Sequence, residues 1–228
     1  MKCESKHIVG FWHYGVILTY LATALGVTGI IFSMLGMTDA AVLCLLHSGL
    51  CDAFDGVVAR TRRNRSDRDK AFGIQIDSLS DLIAFGVAPV MIGVSMGMTA
   101  WYYIILFVAY ALCALVRLAY YNVTEEERTL DPEAGNRQYF DGLPVTQISL
   151  ILPVVYFVAT MFGGYHEIIP HMIMLALYTV YMCLMVLKIK LPKPHVKGLV
   201  IMIVIFLASI AAMMAVRWTV FDLYIGAL

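Results

Sequence analysis

Apolar residues along this chain run in long blocks broken by short polar turns. A bilayer core about 30 Å thick takes roughly 20 residues of helix, and seven blocks reach that length, at about 14–35, 39–60, 72–97, 99–122, 143–162, 168–188 and 198–216. The sequence "GMT" recurs in two of the turns, at 36–38 and 97–99. No internal repeat or low-complexity linker divides the chain. The pattern therefore predicts a single all-α domain over residues 1–228, a polytopic transmembrane bundle of about seven spans. Ahead of the first span, "HIVGFWHY" mixes aromatic and polar side chains and is expected at the membrane interface.

Composition agrees with the pattern. Residues are 61% hydrophobic and only 14% charged, against about 25% charged in a typical soluble domain. The five cysteines (Cys3, Cys44, Cys51, Cys113, Cys183) form no CxxC pair, which excludes a disulfide framework and a structural zinc site. The first apolar block lacks a small-residue cleavage pattern and reads as a spanning helix, not a removable signal. Formal net charge is zero, so its placement is what informs. With Lys2 and Lys6 in the cytoplasm, fifteen of the sixteen Lys/Arg residues fall on the inner side, Arg217 being the exception. The expectation is a multi-pass protein of the cell (inner) membrane with a cytoplasmic N-terminus. The loops at 60–70, 123–142 and 188–197 are then cytoplasmic too, and no nucleic-acid partner is expected.

Against that apolar background stands "CDAFDGVVARTRRNRSDRDKAFGIQIDSLSD", residues 51–81. Asp52, Asp55 and Ala59 share one face of the second predicted helix, with Gly56 beside them. Gly73, Asp77 and Asp81 recur every fourth residue on the third. Antiparallel packing of the two helices would bring both acid pairs together near the cytoplasmic side. An unpaired carboxylate within a span costs roughly 2.5–3.5 kcal/mol, so four cost on the order of 10 kcal/mol. Two compensations compete: pairing with Arg60, Arg62 or Arg63 or solvation at the helix ends on the one hand, and a divalent metal site on the other. Carboxylate oxygens suit Mg²⁺ or Mn²⁺, and four of them can bridge two ions for phosphoryl transfer. An ion pathway through a transporter is the remaining reading, but its helix breaks and inverted repeats are not visible.

The stretch resembles the signature of the CDP-alcohol phosphotransferase family, DxxDGxxAR…GxxxDxxxD. Asp52, Asp55, Gly56, Ala59, Arg60, Gly73, Asp77 and Asp81 fill every fixed position. Twelve residues separate Arg60 from Gly73, against about eight usual in the family, and the extra ones fall in the basic loop. "DSLSDLIAFGVAP" (77–89), "RLAYYNV" (117–123) and "YFDGLPVT" (139–146) are similar to blocks of its phosphatidylserine synthase branch, with Tyr120 in place of a second Arg and Thr146 in place of a second Pro. The recognisable region covers about 14–160.

The resemblance implies a six-helix catalytic core, two divalent ions (Mg²⁺ or Mn²⁺), CDP-diacylglycerol and L-serine as substrates, and a homodimer among membrane lipid. It implies Asp52, Asp55 and Asp77 as metal ligands, and Asp81 as a general base that also touches the second ion. Gly56, Ala59 and Gly73 would let the cytidine nucleotide lie against the helices, and Arg60 would lie near the diphosphate. The small residues serve helix packing equally well, and Arg60 could be an inner-leaflet anchor. Arg117 is a candidate acceptor or headgroup contact, with snorkelling to lipid phosphate as the alternative. Thr19, in "GVILTYL", falls in a region resembling the first-helix nucleotide contact. His47 reads as a packed polar residue rather than a ligand.

Overall fold

The computed structural model describes residues 10, 12, 14–61, 66–130, 139–164 and 166–192. A 3₁₀ turn, Tyr14–Val16, leads into α1 (Ile17–Met34), and α2 (Thr38–Thr61) follows. α3 (Asp67–Asp81) opens on a reciprocal cap. Ser66 Oγ accepts from the Asp69 N–H at 3.1 Å, and the Asp69 carboxylate accepts from the Ser66 N–H at 3.2 Å. Two N–H groups that a helix start leaves without partners are satisfied this way. The helix therefore begins ahead of the predicted boundary at 72.

α3 passes through a wide π turn, Leu82–Val87, into α4 (Ala88–Ser95). Pro89 explains the wide turn. Lacking an N–H, it cannot bond the carbonyl four residues back, that of Phe85. The buried Tyr110 hydroxyl donates to Phe85 O instead, at 2.9 Å, while the Ala88 N–H reaches Ile83 O. α5 (Trp101–Leu130) carries Tyr110 and is the longest rod at 30 residues. β1 (Tyr139–Asp141), α6 (Ile148–Met161), α7 (Ile168–Val186) and β2 (Lys190–Pro192) complete the described chain. The two strands pair antiparallel with Phe140 opposite Leu191. Among the described residues this small ribbon is the one addition to the all-α expectation.

The core lies among α2, α4, α5, α6 and α7 and is rich in aromatic side chains. Phe85, Tyr110, Tyr156, Tyr178 and Tyr181 are fully buried. Tyr178 meets Phe107 and Tyr110 edge-on at 5.2 and 5.4 Å. A buried phenol needs an acceptor; Tyr178 finds Pro89 O and Tyr181 finds Pro144 O. α1 packs chiefly along α2 and touches the π turn. Gly26 permits that contact, because a Cβ there would stand 2.9 Å from the Ala84 Cα.

Among the described residues, four helices are long and apolar enough to cross a membrane: Ile17–Met34, Arg68–Ser95, Trp101–Glu127 and Ile168–Val186. The described rods match the first six predicted blocks. α2 has the length, at 24 residues, but carries Asp39, Asp52, Asp55 and Arg60. Val145–Met161 is apolar but shorter. The seventh predicted block, 198–216, lies outside the described residues.

Candidate functional site

The four acids converge, though not by the expected route. α2 packs against α4 and the π turn more than against α3, and α1 touches both α2 and α3. The acid-bearing parts of α2 and α3 thus stand apart, and their side chains meet across the gap. One oxygen each from Asp52, Asp55 and Asp77 lies within 4.8 Å of the others. Asp81 is buried, 8% exposed, beside Asp52. Asp55 likewise stands beside Asp77.

Such an arrangement suits a bound cation. Two ionised carboxylates at 4.8 Å repel by about 3.5 kcal/mol at an effective dielectric of about 20. Asp77 Oδ1 is buried without a hydrogen-bond partner, as expected of an atom reserved for a ligand. The donors are hard oxygens, which suit Mg²⁺ or Mn²⁺. Opposed oxygens on a single Mg²⁺ stand about 4.2 Å apart, so a spread of 4.8 Å needs only a small side-chain adjustment or a bridging pair of ions. The residues fit the group.

Asp52, Asp77 and Asp81 line a cavity of about 180 Å³ together with Arg117, Leu118, Tyr121, Pro144, Val145 and Thr146. Arg117 sits on α5, 7% exposed, and its Nη2 donates to Gly142 O at a long 3.4 Å. It is built into the wall of the cavity and does not snorkel to the surface. Gly142 is held in turn. Its φ is +80°, and a Cβ would come within 2.9 Å of the Met185 and Leu187 carbonyl oxygens at the end of α7, so only glycine fits comfortably. Its N–H donates to Ile189 O at 2.8 Å, Leu143 N–H donates to Leu184 O at 3.0 Å, and the Tyr181 hydroxyl holds Pro144 O at 2.7 Å. The "GLPVT" block is thus a wall of the site fastened to α7.

Of the other predicted residues, Gly56 is exposed, and nothing lies within 4 Å of where its Cβ would be. Packing among the described residues does not require glycine there. Gly73 is half-buried on α3. Ala59 and Arg60 continue the α2 backbone, but their side chains lie outside the described residues. His47 bonds Leu43 O on its own helix at 2.7 Å, the packed role expected of it. Tyr120, where the branch more often has Arg, does not line the cavity; its ring lies under Lys188 Nζ at 5.2 Å.

Sequence reasoning missed Tyr121, whose neighbour Tyr120 drew attention by departing from the motif. It also read Thr19 only as part of a region resembling a nucleotide contact, not as a partner of Asp55. Thr19 Oγ1 donates to Asp55 Oδ2 at 3.0 Å, a contact between helices that no periodicity in either one announces.

Residues 12–225 match the sequence profile of the CDP-alcohol phosphatidyltransferase family. The chain is 35% identical over 158 residues to a CDP-diacylglycerol–serine O-phosphatidyltransferase of Saccharomyces cerevisiae, a segment covering 64% of this chain and 56% of that protein. It is 31% identical over 191 residues to the archaetidylserine synthase of Methanothermobacter thermautotrophicus, covering 83% of this chain and 74% of that one. A CDP-diacylglycerol–serine O-phosphatidyltransferase of Bacillus subtilis is 30% identical over 120 residues, covering 52% and 60%. The chain therefore spans little more than half the length of the S. cerevisiae relative. Because the family match runs over nearly the whole sequence and takes in every residue that builds the cavity, this protein belongs to the CDP-alcohol phosphatidyltransferase family.

Proposed function

We propose that the protein transfers the phosphatidyl group of CDP-diacylglycerol to L-serine, releasing phosphatidylserine and CMP. One observation carries the reading: three carboxylates and a buried arginine share a single cavity at the junction of α2, α3 and α5. Acids alone would repel a diphosphate, and a cation alone would not activate a hydroxyl. The branch-like blocks and the names of the three relatives, each containing serine, favour serine as acceptor.

In this reading Asp52, Asp55 and Asp77 would hold two divalent ions, Mg²⁺ or Mn²⁺, and Asp81 would also touch the second. When bound, the ions neutralise the diphosphate and stabilise charge building on the CMP leaving group. Asp81 takes the proton from the serine hydroxyl as its oxygen attacks the β-phosphorus, and the bond from that phosphorus to the CMP oxygen breaks. Arg117 receives the serine carboxylate, with Gly142 O steadying the guanidinium. Leu118, Pro144 and Val145 give the cavity apolar walls that limit water around the reacting atoms. Gly56 leaves room for the nucleotide against α2. Ala59 and Gly73 serve the same nucleotide surface, and Arg60 serves the diphosphate. The protein acts as a homodimer in the cell membrane with the site on the cytoplasmic side, where serine is dissolved while the acyl chains stay in the bilayer.

The deciding experiment supplies the purified protein with CDP-diacylglycerol and each acceptor in turn. CMP release with serine is the expected result. Release with glycerol 3-phosphate or inositol phosphate and none with serine would move the protein to another acceptor within the family. No CMP with any acceptor would end the transferase reading and leave the acids to ion passage.

A further inference from the structure

Three threonines lie along α1. Thr28 Oγ1 donates to Ala24 O at 2.8 Å on the preceding turn, as helical threonines usually do, and Thr23 Oγ1 lies 2.9 Å from Thr19 O and 2.7 Å from Ser80 Oγ on α3. Thr19 does otherwise. It is 5% exposed, and its hydroxyl leaves α1 to donate to Asp55 Oδ2 on α2 at 3.0 Å. A neutral donor on a carboxylate occupies one lone-pair direction and leaves the others for a cation, which is how partners behind a metal ligand fix its rotamer.

The surroundings hold Thr19 still. Ser48 Oγ on α2 donates to Ala22 O at 2.8 Å, which locks α1 and α2 lengthwise. Ser80 Oγ on α3 donates to Thr19 O at 3.3 Å and lies 2.7 Å from Thr23 Oγ1. The backbone of Thr19 is thereby tied to the residue beside Asp81, while its side chain is tied to Asp55. One residue links the acid pair of α2 to that of α3, which the sparse direct packing of those helices does not do.

We propose that Thr19 is a positioning residue for the metal site: its hydroxyl orients Asp55, and its carbonyl holds α3 at the matching height. The proposal rests on the reading of Asp52, Asp55 and Asp77 as metal ligands. Thr19→Val removes the donor at nearly constant shape and leaves the carbonyl for Ser80; Thr19→Ser keeps the donor.

The test is Mn²⁺ binding, followed by electron paramagnetic resonance on the purified full chain in detergent, without substrate. Loss of a partner behind a ligand typically weakens metal affinity roughly 10- to 100-fold. Thr19→Val should show that loss, Thr19→Ser should bind like the wild type, and all three should unfold at the same temperature in EDTA. Wild-type affinity in Thr19→Val, with Asp55→Asn impaired, overturns the positioning role alone. So does an equal fall in unfolding temperature for both Thr19 variants without a change in Mn²⁺ affinity. If neither Asp55→Asn nor Asp52→Asn alters Mn²⁺ binding, the metal reading itself fails and the proposal falls with it.

Discussion

Ser78 Oγ on α3 donates a 2.8 Å hydrogen bond to Asn122 Oδ1 on α5. Ser78 directly follows Asp77, and Asn122 lies on the same helix as Arg117, so this bond sets the acidic wall of the cavity against the basic one. Bonds of this kind between membrane helices average about 0.6 kcal/mol and reach about 1.7 kcal/mol. Ser78→Ala and Asn122→Ala should each lower stability by about that amount. The double variant should lose less than the sum, as read from thermal unfolding in detergent. Strict additivity would mean that the two side chains do not support each other.

Asp52→Asn and Asp77→Asn should each abolish turnover while membrane insertion and expression stay normal. The amide has the carboxylate's shape without its charge, so the ion is lost and the fold is kept. Excess EDTA should silence the wild type, and Mg²⁺ or Mn²⁺ should restore it. Full activity in EDTA would refute the metal requirement.

Asp81 is singled out by geometry, buried against Asp52 and outside the trio of closest ligand oxygens. Asp81→Asn should cut kcat by roughly 100-fold or more, the usual worth of a general base, with a much smaller change in CDP-diacylglycerol affinity. The acidic limb of the wild-type pH–rate profile should vanish from the variant's residual rate. An equal collapse of nucleotide binding would make Asp81 a ligand and not a base.

Arg117→Ala should raise the KM for serine more than that for CDP-diacylglycerol, by roughly 10- to 100-fold if a hydrogen bond to a charged group worth about 1.5–3 kcal/mol is lost. Arg117→Lys should recover only part of this, because an ammonium cannot offer the planar fork of a guanidinium. Equal effects on both substrates would return Arg117 to a packing role.

The inward bias of Lys and Arg predicts that cysteines placed at 65 and 193 in a cysteine-free background react with an impermeant reagent only from the cytoplasmic face. Labelling of either from the outer face alone would invert the topology.

Much of this was legible before any coordinates. The described rods fall where the first six apolar blocks do, and Asp52 and Asp55, three residues apart on α2, meet Asp77 and Asp81, four apart on α3. Helix ends were read less well. α3 begins at Asp67 rather than 72, and α5 runs to Leu130 rather than 122. Hydropathy marks where a bilayer would begin and end, whereas a helix continues into water as long as its ends are capped. The Ser66–Asp69 cap was visible as a serine three residues ahead of an acid, a signal the apolar pattern overshadowed. The tertiary contacts were not visible. Nothing in the spacing of α1 directs the Thr19 hydroxyl to Asp55, and nothing in "GLPVT" says that α7 holds it.

The wide turn imposed by Pro89 carries a consequence for the whole rod from Arg68 to Ser95. A π turn admits one residue more than an α turn, so everything after it is rotated by about 100° relative to an uninterrupted helix. The rod therefore has two phases. In the first, Asp77 and Asp81 face the cavity; in the second, Ala88, Pro89 and Ile92 are buried. With a single phase, one stripe would have to serve both chemistry and packing. The Tyr110 hydroxyl on Phe85 O is the clutch between them. It lets the acidic half keep its heading while the apolar half answers only to its neighbours.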